Sequence, residues 1–165
     1  MLSKLKRDYV VNNKGKRVLL IMLIYRLGNK VYYSKYPFLL KKTILSLLNI
    51  ANKLFIFYPL NIELPFSCKI GAGFRIVHQH GIVLNGGVEI GENCTIHHQV
   101  TIGINEFSVE KRAAKVGNNV YIGCGAKIIG NVKIEDGVKI GANAVVVKDL
   151  LKGTTAICRQ EIING

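Results

Sequence analysis

From Leu64 to Val146 of this 165-residue chain an aliphatic residue returns every six positions, with two breaks: a step of eight from Ile82 to Ile90 and one of fourteen from Ile102 to Val116. The series is Leu64, Ile70, Ile76, Ile82, Ile90, Ile96, Ile102, Val116, Ile122, Ile128, Ile134, Ile140 and Val146. Small or apolar residues recur four positions after many of its members, such as Cys94 after Ile90. Helices repeat their apolar residues every three or four positions and half-buried strands every two, so neither explains this spacing. A period of six predicts a mainly β fold, a left-handed parallel β-helix built from hexapeptide repeats.

The N-terminal third has a different composition and is predicted to cap the β-helix. Between Met1 and Lys53 there are twelve Lys or Arg residues and one acidic residue, Asp8, so +11 of the net charge of +13 lies there. Apolar runs predict helices at Val18–Leu27 and Thr43–Tyr58, broken by Gly28, Pro37 and Pro59. A terminal coil of a repeat protein exposes its apolar face unless something covers it. We therefore expect a helical cap at 1–62 and the β-helix at 63–165.

The charge of the cap raises the question of a membrane or nucleic-acid partner. Its uncharged stretches, 18–25, 43–52 and 54–62, are shorter than the roughly 20 residues that span a bilayer. No small-residue cleavage site follows the first apolar run, so no secretory signal is predicted. Packing against the coils, with solvated charges, is favoured, and peripheral contact with an anionic membrane is the alternative. Basic residues interleaved with aliphatic ones do not predict nucleic-acid binding.

The cysteines indicate a reducing compartment. Cys68, Cys94, Cys124 and Cys158 are dispersed without C-x-x-C spacing, and two of them fall on inward positions of the repeat. Cysteine on an inward position acts as a compact apolar residue. Reduced thiols and a cytoplasmic location follow, with the inner face of the membrane as the alternative position.

The histidines are the most informative polar residues. All four, His78, His80, His97 and His98, lie within 21 residues. His78 and His98 are each the third residue of a repeat, and the two repeats are about one coil apart, so we expect them to stack. His80 falls on a nominally inward position and is predicted to be structural. Stacked imidazoles suit either a metal-free general base or, with His97, a zinc site.

The sequence around these histidines resembles the serine O-acetyltransferases, which are acetyl-CoA-dependent hexapeptide-repeat enzymes. The blocks that carry the resemblance are 73–83, 90–93, 99–103, 115–117, 120–131 and 138–146, with Tyr25–Gly28 upstream of the coils. The resemblance implies an O-acetyltransferase that uses acetyl-CoA as co-substrate and needs no metal. It also implies a homotrimer whose active sites lie between subunits.

The resemblance assigns roles to individual residues. His78 matches the catalytic base, and Glu63 stands where the family keeps an Asp that orients this base. Arg112 matches an Arg that engages the carboxylate of the acceptor. His97 and His98 stand where the family usually has apolar and amide residues, and they are candidates for acceptor binding on our own interpretation of the histidine cluster. Residues along the pantetheine arm of acetyl-CoA, where small side chains let the cofactor approach the backbone, are Gly123, Cys124, Gly125, Ala126, Gly141 and Ala142.

Departures from the family pattern concern the acceptor. Val77 replaces an Asp beside the catalytic His, and Ala113 replaces a His after Arg112. The tail at 158–162 departs from the family's Gly-Val-Pro-Ala-Arg. The residues that would recognise an amino acid as acceptor are thus altered. By analogy with relatives that accompany surface-polysaccharide synthesis, we place a sugar hydroxyl ahead of L-serine as acceptor.

A loop between Ile102 and Val116 interrupts the six-residue period. Fourteen residues separate Ile102 from Val116, so the loop 104–114 must leave the coil and is expected to reach an adjacent subunit.

A γ-class carbonic anhydrase-like zinc enzyme would use the same coil and histidines. A non-catalytic β-helix scaffold would account for the altered residues. Zinc content and acetyl-CoA binding separate these alternatives.

Overall fold

The computed structural model describes residues 1–159, which comprise N-terminal helices followed by stacked coils of short strands. The part of the altered tail beyond Arg159 lies outside the described residues. The helices are α1 (Leu2–Val11), α2 (Lys16–Tyr32), α3 (Phe38–Asn52), a π-helical turn (Lys53–Phe57) and α4 (Tyr58–Leu60).

Short parallel strands form three sheets, as the hexapeptide period predicted. The strands are β1 (Lys69–Ile70), β2 (Arg75–Ile76), β3 (Val83–Leu84), β4 (Glu89–Ile90), β5 (Thr95–Ile96), β6 (Thr101–Gly103), β7 (Lys115–Val116), β8 (Tyr121–Ile122), β9 (Lys127–Ile129), β10 (Lys133–Ile134), β11 (Lys139–Ile140), β12 (Val145–Val146) and β13 (Thr155–Ala156). The first sheet has the order β1-β4-β7-β10, the second β13-β11-β8-β5-β2 and the third β12-β9-β6-β3. Each coil therefore contributes one strand to each sheet, and the left-handed parallel β-helix is confirmed.

The core consists of three columns of aliphatic side chains, one behind each sheet. They are Ile70, Ile90, Val116 and Ile134 in the first sheet, Ile76, Ile96, Ile122 and Ile140 in the second, and Leu84, Ile102, Ile128 and Val146 in the third. All are buried. Because every coil presents the same residue type at the same height, each column packs without gaps along the axis.

One member of the predicted series was wrong. Leu84, not Ile82, pairs with Ile102 in the third sheet. The two extra residues of the first coil therefore lie before β3, in the turn 77–82, and not after Ile82. This turn has six residues, whereas the three equivalent turns, 97–100, 123–126 and 141–144, have four. Ile82 and Leu84 are both 1 % exposed, so hydrophobicity alone does not distinguish their positions.

Gly28 does not end its helix, contrary to the prediction. Helix α2 runs through it to Tyr32. A Cβ at Gly28 would run into the ring of Phe66, which lies at the start of the first coil. This glycine therefore serves a close approach between helix and coil, and the small destabilisation of a helical glycine is offset by that packing.

A buried ion pair fastens the helices to the first coil. Asp8 on α1 and Arg26 on α2 are 3.0 Å apart, with side chains 0 % and 3 % exposed. The guanidinium also donates to the carbonyl oxygens of Ile70 and Gly71, and the Asp8 carboxylate accepts from the backbone N–H of Phe74 at 3.0 Å. Both charges are thus fully hydrogen-bonded, as buried charges must be to be tolerated.

A third helical segment leaves much of its apolar surface uncovered. The continuous helix Phe38–Leu60 has 23 residues and is long and apolar enough to cross a membrane by length and composition. The estimate from uncharged stretches missed it because Lys53 divides the apolar run. Large exposed side chains along it are Phe38, Leu39, Leu40, Leu47, Ile50, Leu54, Phe55 and Tyr58.

Candidate active site

Four stacked turns between the second and third sheets bring most of the predicted site residues together. We call this edge, formed by 77–82, 97–100, 123–126 and 141–144, the histidine corner. Backbone N–H groups of Gln99, Gly125 and Asn143 donate to the carbonyl oxygens of His80, His98 and Cys124 at 3.0, 3.0 and 2.8 Å. These bonds fix the register from coil to coil and set the histidines above the small residues assigned to the cofactor.

The same register identifies the two additional residues of the long turn. Val77 aligns with His97, because their backbone N–H groups donate to the carbonyl oxygens of Ile96 and Ile122. His80 aligns with His98, because their carbonyl oxygens accept from the backbone N–H groups of Gln99 and Gly125. His78 and Gln79 have no counterpart in the other three turns and are the inserted pair. His78 has a φ of 55°, a left-handed conformation that costs a non-glycine residue about 1–2 kcal/mol.

The insertion brings the His78 ring close to the histidines of the next coil. Its centroid lies 5.5 Å from that of His98 and 6.4 Å from that of His97. His97 in turn lies 5.1 Å from the ring of Tyr121, which points outward from β8. The predicted proximity of His78 and His98 is therefore present, although His80 is the residue in register with His98. His80 is exposed, so the inward position predicted for it was wrong.

Two of these imidazoles have distinct electrostatic environments. Burial, then the neighbouring His78 and His98, and then Arg75, hold the pKa of His97 below its ordinary value. His97 is therefore neutral at neutral pH and able to accept or donate a hydrogen bond. The Nδ1 atom of His98 is buried without a hydrogen-bond partner within residues 1–159. Such an atom is costly unless a ligand or water satisfies it.

Side chains shrink along the histidine corner with distance from His78. Two columns of stacked residues run along this corner. One consists of His80, His98, Cys124 and Ala142, and the other of Val77, His97, Gly123 and Gly141. The last coils thus present nearly bare backbone, and Ala142 is exposed. Gly123 and Gly141 also allow the coils to stack closely, because a Cβ at Gly123 would lie 2.7 Å from the nitrogen of Ala142. The residues present fit an extended cofactor arm lying along this edge.

Glu63 lies beside the end of the long turn but does not contact His78 through a hydrogen bond. Its backbone N–H donates to Ile82 at 2.7 Å, and it forms an isolated parallel bridge with Val83. The carboxylate makes neither a hydrogen bond nor an ion pair within the described part of the chain. The carboxylate therefore does not orient the imidazole in this conformation.

Arg112 lies at a different corner of the same chain. The loop 104–114 joins β6 of the third sheet to β7 of the first, and Arg112 is exposed there, 3.7 Å from Glu110. It lines a cavity of about 570 Å³ together with Asn85 and Asp149, and no histidine takes part. One subunit therefore does not bring Arg112 and His78 together.

The structure adds residues that sequence reasoning missed. A cavity of about 900 Å³ opens beside His78, and Lys16 and Arg17 at the start of α2 line it. These two are about sixty positions from His78 and belong to no motif, so no local signal relates them. Tyr121 follows from the register once Thr95 is paired with it. In residues 1–159 no three His, Cys, Asp or Glu side chains are grouped to hold a metal ion.

Comparison with known proteins connects this geometry to a reaction. Residues 113–148 match the family described as bacterial transferase hexapeptide (six repeats). A serine acetyltransferase of Helicobacter pylori is 36 % identical over 158 residues, which is 93 % of this chain and 87 % of that protein.

Solved structures give the same relationship. The soybean serine acetyltransferase complexed with serine aligns with a TM-score of 0.79 at 25 % identity, over 95 % of this chain and 66 % of that one. A serine acetyltransferase in complex with CoA aligns with a TM-score of 0.70 at 28 % identity, over 86 % of this chain and 54 % of that one. The present chain thus spans less than two thirds of these solved chains.

Proposed function

This chain belongs to the serine acetyltransferase family of acetyl-CoA-dependent O-acetyltransferases, and from that premise we propose that it acetylates a sugar hydroxyl with His78 as general base. The observation that carries the proposal is the insertion of His78 into the one long turn of the histidine corner. The inserted imidazole is exposed beside His97 and His98, and the coils beyond these two histidines carry residues small enough to receive the cofactor arm.

His78 moves one proton in each turnover. The acceptor hydroxyl gives its proton to the imidazole as its oxygen bonds to the thioester carbonyl carbon that acetyl-CoA supplies. The carbon–sulfur bond breaks, and the proton passes from the imidazolium to the sulfur of CoA, so the products are the acetyl ester and free CoA. Imidazole exchanges its proton near neutral pH, and a positioned base accelerates such a step by about 10²–10⁴.

The neighbouring residues orient this chemistry. Glu63 accepts a hydrogen bond from His78 after rotation of its side chain and fixes the tautomer that acts as base. His97, whose pKa is held below its ordinary value by burial and the neighbouring imidazoles, is available to the polar groups of the acceptor, whereas the unpartnered Nδ1 of His98 is buried. We assign the path of the pantetheine arm to Gly123, Cys124, Gly125, Gly141 and Ala142, whereas the side chain of Ala126, which the resemblance also assigned to this path, is 0 % exposed in the core.

The acceptor is argued from what surrounds His78. Val77 removes a carboxylate from beside the base, and Arg112 lies at another corner of the subunit. The cavity at His78, about 900 Å³, is also at the upper end of the range of roughly 300–1,000 Å³ that accommodates drug-sized ligands. This space accommodates a sugar as well as a free amino acid, so the preference for a sugar rests on Val77 and on the distant position of Arg112. L-Serine is the second candidate, because the Helicobacter pylori relative is named for it.

A homotrimer places Arg112 within reach of a second active site. Its loop leaves the coil, and Phe107 and Val109 at the tip are fully exposed. In a closed three-fold assembly one interface recurs at every subunit, and we propose that this loop takes part in it. Arg112 would then contribute to the acceptor site of the adjacent subunit and not to its own.

Calorimetry of acetyl-CoA binding tests the proposed cofactor path. Replacing Ala142 by leucine places a branched side chain on the exposed edge and is expected to weaken acetyl-CoA binding at least about tenfold, a cost typical of forced overpacking. Glu92→Leu, on the corner between the first and second sheets, is the matched control and should bind as the parent does. Absence of binding by the parent protein, with zinc bound in equal amount, would favour the carbonic anhydrase-like alternative, and absence of both would favour the scaffold.

Incubating the protein with acetyl-CoA and a panel of acceptors identifies the substrate class. Release of CoA thiol with sugars and not with L-serine would support the proposal. Preference for L-serine over every sugar would overturn the acceptor and leave the acetyl transfer intact.

The enzyme is placed in the cytoplasm, in peripheral contact with an anionic membrane through the helix Phe38–Leu60. No acidic residue occurs between Asp8 and Glu63, so this exposed apolar helix lies in a region that carries only positive charge. A second copy meeting it through the same face would bring lysines against lysines. Anionic lipid instead covers the exposed apolar side chains of this helix and attracts its positive charges. Each Lys or Arg contributes about 1 kcal/mol near such a surface.

Vesicle sedimentation tests this contact. Binding is expected with phosphatidylglycerol vesicles and not with phosphatidylcholine alone. The double variant Leu47→Glu and Leu54→Glu should reduce binding at least about tenfold, because it adds two negative charges to this helix. Leu151→Glu with Ile157→Glu, at exposed apolar positions of the last coil, is the control. Equal sedimentation of the two double variants would contradict the assignment, as would a change in subunit number without any vesicle binding.

A further inference from the structure

The cavity beside His78 is formed by elements from three parts of the chain. Lys16, Arg17 and Leu20 come from the first turns of α2. Phe55, Pro59 and Leu60 come from the end of the helical segment, and His78, Gln79 and His80 come from the long turn. The candidate base and two cationic side chains therefore share one space of about 900 Å³.

The cavity is lined by cationic side chains and by no carboxylate. None of its nine lining residues is acidic. The nearest acidic residues in sequence are Asp8, which is buried against Arg26, and Glu63, which does not line the cavity. Lys16 and Arg17 are exposed and form no ion pair within residues 1–159. By contrast, the other large cavities contain carboxylates, such as Glu89 and Asp149.

Two adjacent cations without a carboxylate favour an anionic ligand. A guanidinium pairs with phosphate or carboxylate through two parallel N–H donors, and an ammonium adds a point charge beside it. Apolar Leu20 and Phe55 on the same wall provide surface for the carbon skeleton of a ligand. A phosphate group, with up to two negative charges, matches both cations better than a single carboxylate does.

We infer that this cavity binds the phosphate group of a phosphorylated sugar acceptor, held by Lys16 and Arg17 while a hydroxyl of the sugar reaches His78. The inference rests on the proposed acetyl transfer and narrows its acceptor from sugars in general to sugar phosphates. A free sugar phosphate and a sugar joined to an alkyl chain through a phosphodiester share this chemistry. Lys16 and Arg17 determine specificity in this assignment and take no part in the proton transfer.

Binding of glucose 1-phosphate, followed by the imidazole proton resonances of His78 and His80, tests the inference on the full chain. Saturable shifts of these resonances are expected with glucose 1-phosphate and not with glucose. The variant Lys16→Gln with Arg17→Gln should weaken binding at least about tenfold, since charged hydrogen bonds are lost. Lys30→Gln with Lys35→Gln changes two exposed cations outside the cavity and should alter binding less than about twofold.

Two further measurements distinguish a free sugar phosphate from an alkyl-linked one, and failure of this inference from failure of the proposed function. Octyl glucosyl phosphate is a phosphodiester. If it binds more tightly than glucose 1-phosphate through the same two cations, the acceptor is a sugar linked to an alkyl chain, and if it binds less tightly, the acceptor is a free sugar phosphate. Equal affinity of the Lys16, Arg17 variant and its control, or no shift at His78, would overturn the inference. Acetyl-CoA binding is measured in parallel. Absence of binding by the parent protein would indicate that the acetyltransferase proposal itself is wrong.

Discussion

The His78→Ala variant is expected to lose acetyl transfer by about 10²–10⁴-fold in kcat, because the group that takes the hydroxyl proton is removed. Acetyl-CoA affinity should stay within about twofold of the parent value, since the cofactor residues lie on later coils of the histidine corner. Stopped-assay measurement of released CoA thiol gives kcat, and calorimetry gives the affinity.

The neighbouring His80 provides the matched control. It is exposed in the same turn, two residues further on, and aligns with His98 by register. His80→Ala should keep kcat within about tenfold of the parent, because His80 lines the proposed acceptor cavity but does not take the reacting proton. An active His78→Ala variant would remove this residue from the mechanism.

Glu63→Gln separates orientation from proton transfer. An amide still accepts a hydrogen bond from the imidazole but supplies no charge, so we expect a smaller loss in kcat than for His78→Ala. The loss should be accompanied by a changed pH dependence of kcat/KM, because the imidazolium is less stabilised. A kcat/KM profile identical to that of the parent would mean that Glu63 has no role in positioning the base.

Asp8→Ala is expected to lower the free energy of unfolding by about 3–5 kcal/mol, the usual consequence of leaving one member of a buried ion pair without its partner. Arg26 would remain 3 % exposed with only carbonyl acceptors, and the backbone N–H of Phe74 would lose its acceptor. A reduction of Tm on the order of 10 °C follows for a chain of this size. Urea unfolding at one fixed protein concentration measures the change.

The adjacent residue again supplies a control. Arg7 forms an ion pair with Glu92 at 3.0 Å, but the two side chains are 46 % and 51 % exposed. Exposed pairs contribute about 0–1 kcal/mol, so Arg7→Ala should change stability little. Similar losses for the two variants would show that burial does not determine the importance of the Asp8–Arg26 contact.

The strands were predictable because one physical requirement repeats. Each coil must place an aliphatic side chain at the same height as the last, and that requirement is visible in the sequence as a period of six. The position of the two extra residues was not predictable in the same way. Ile82 and Leu84 are both aliphatic and both buried, so either satisfies the core, and only the hydrogen bonds of the next coil select Leu84.

The site was predictable where it follows the repeat and not where it depends on tertiary packing. The column of small residues beyond His98 follows from stacking, whereas the approach of His78 to His98 comes from the inserted pair of residues in the long turn. Lys16 and Arg17 reach His78 only because α2 packs across the first coil, an arrangement determined in part by Gly28 and the Asp8–Arg26 pair. The roles of Glu63 and Arg112 stay predictions, since the first needs a side-chain rotation and the second needs an adjacent subunit.

The inserted pair in the long turn has a consequence at the level of the gene. His78 and Gln79 are the residues by which this turn exceeds its three equivalents, and neither contributes to the core. Removing six nucleotides would therefore leave a four-residue turn of the kind that the other coils already use, with every buried column intact. Gain or loss of the proposed base is then a single short insertion or deletion, available to evolution without passing through an unfolded protein.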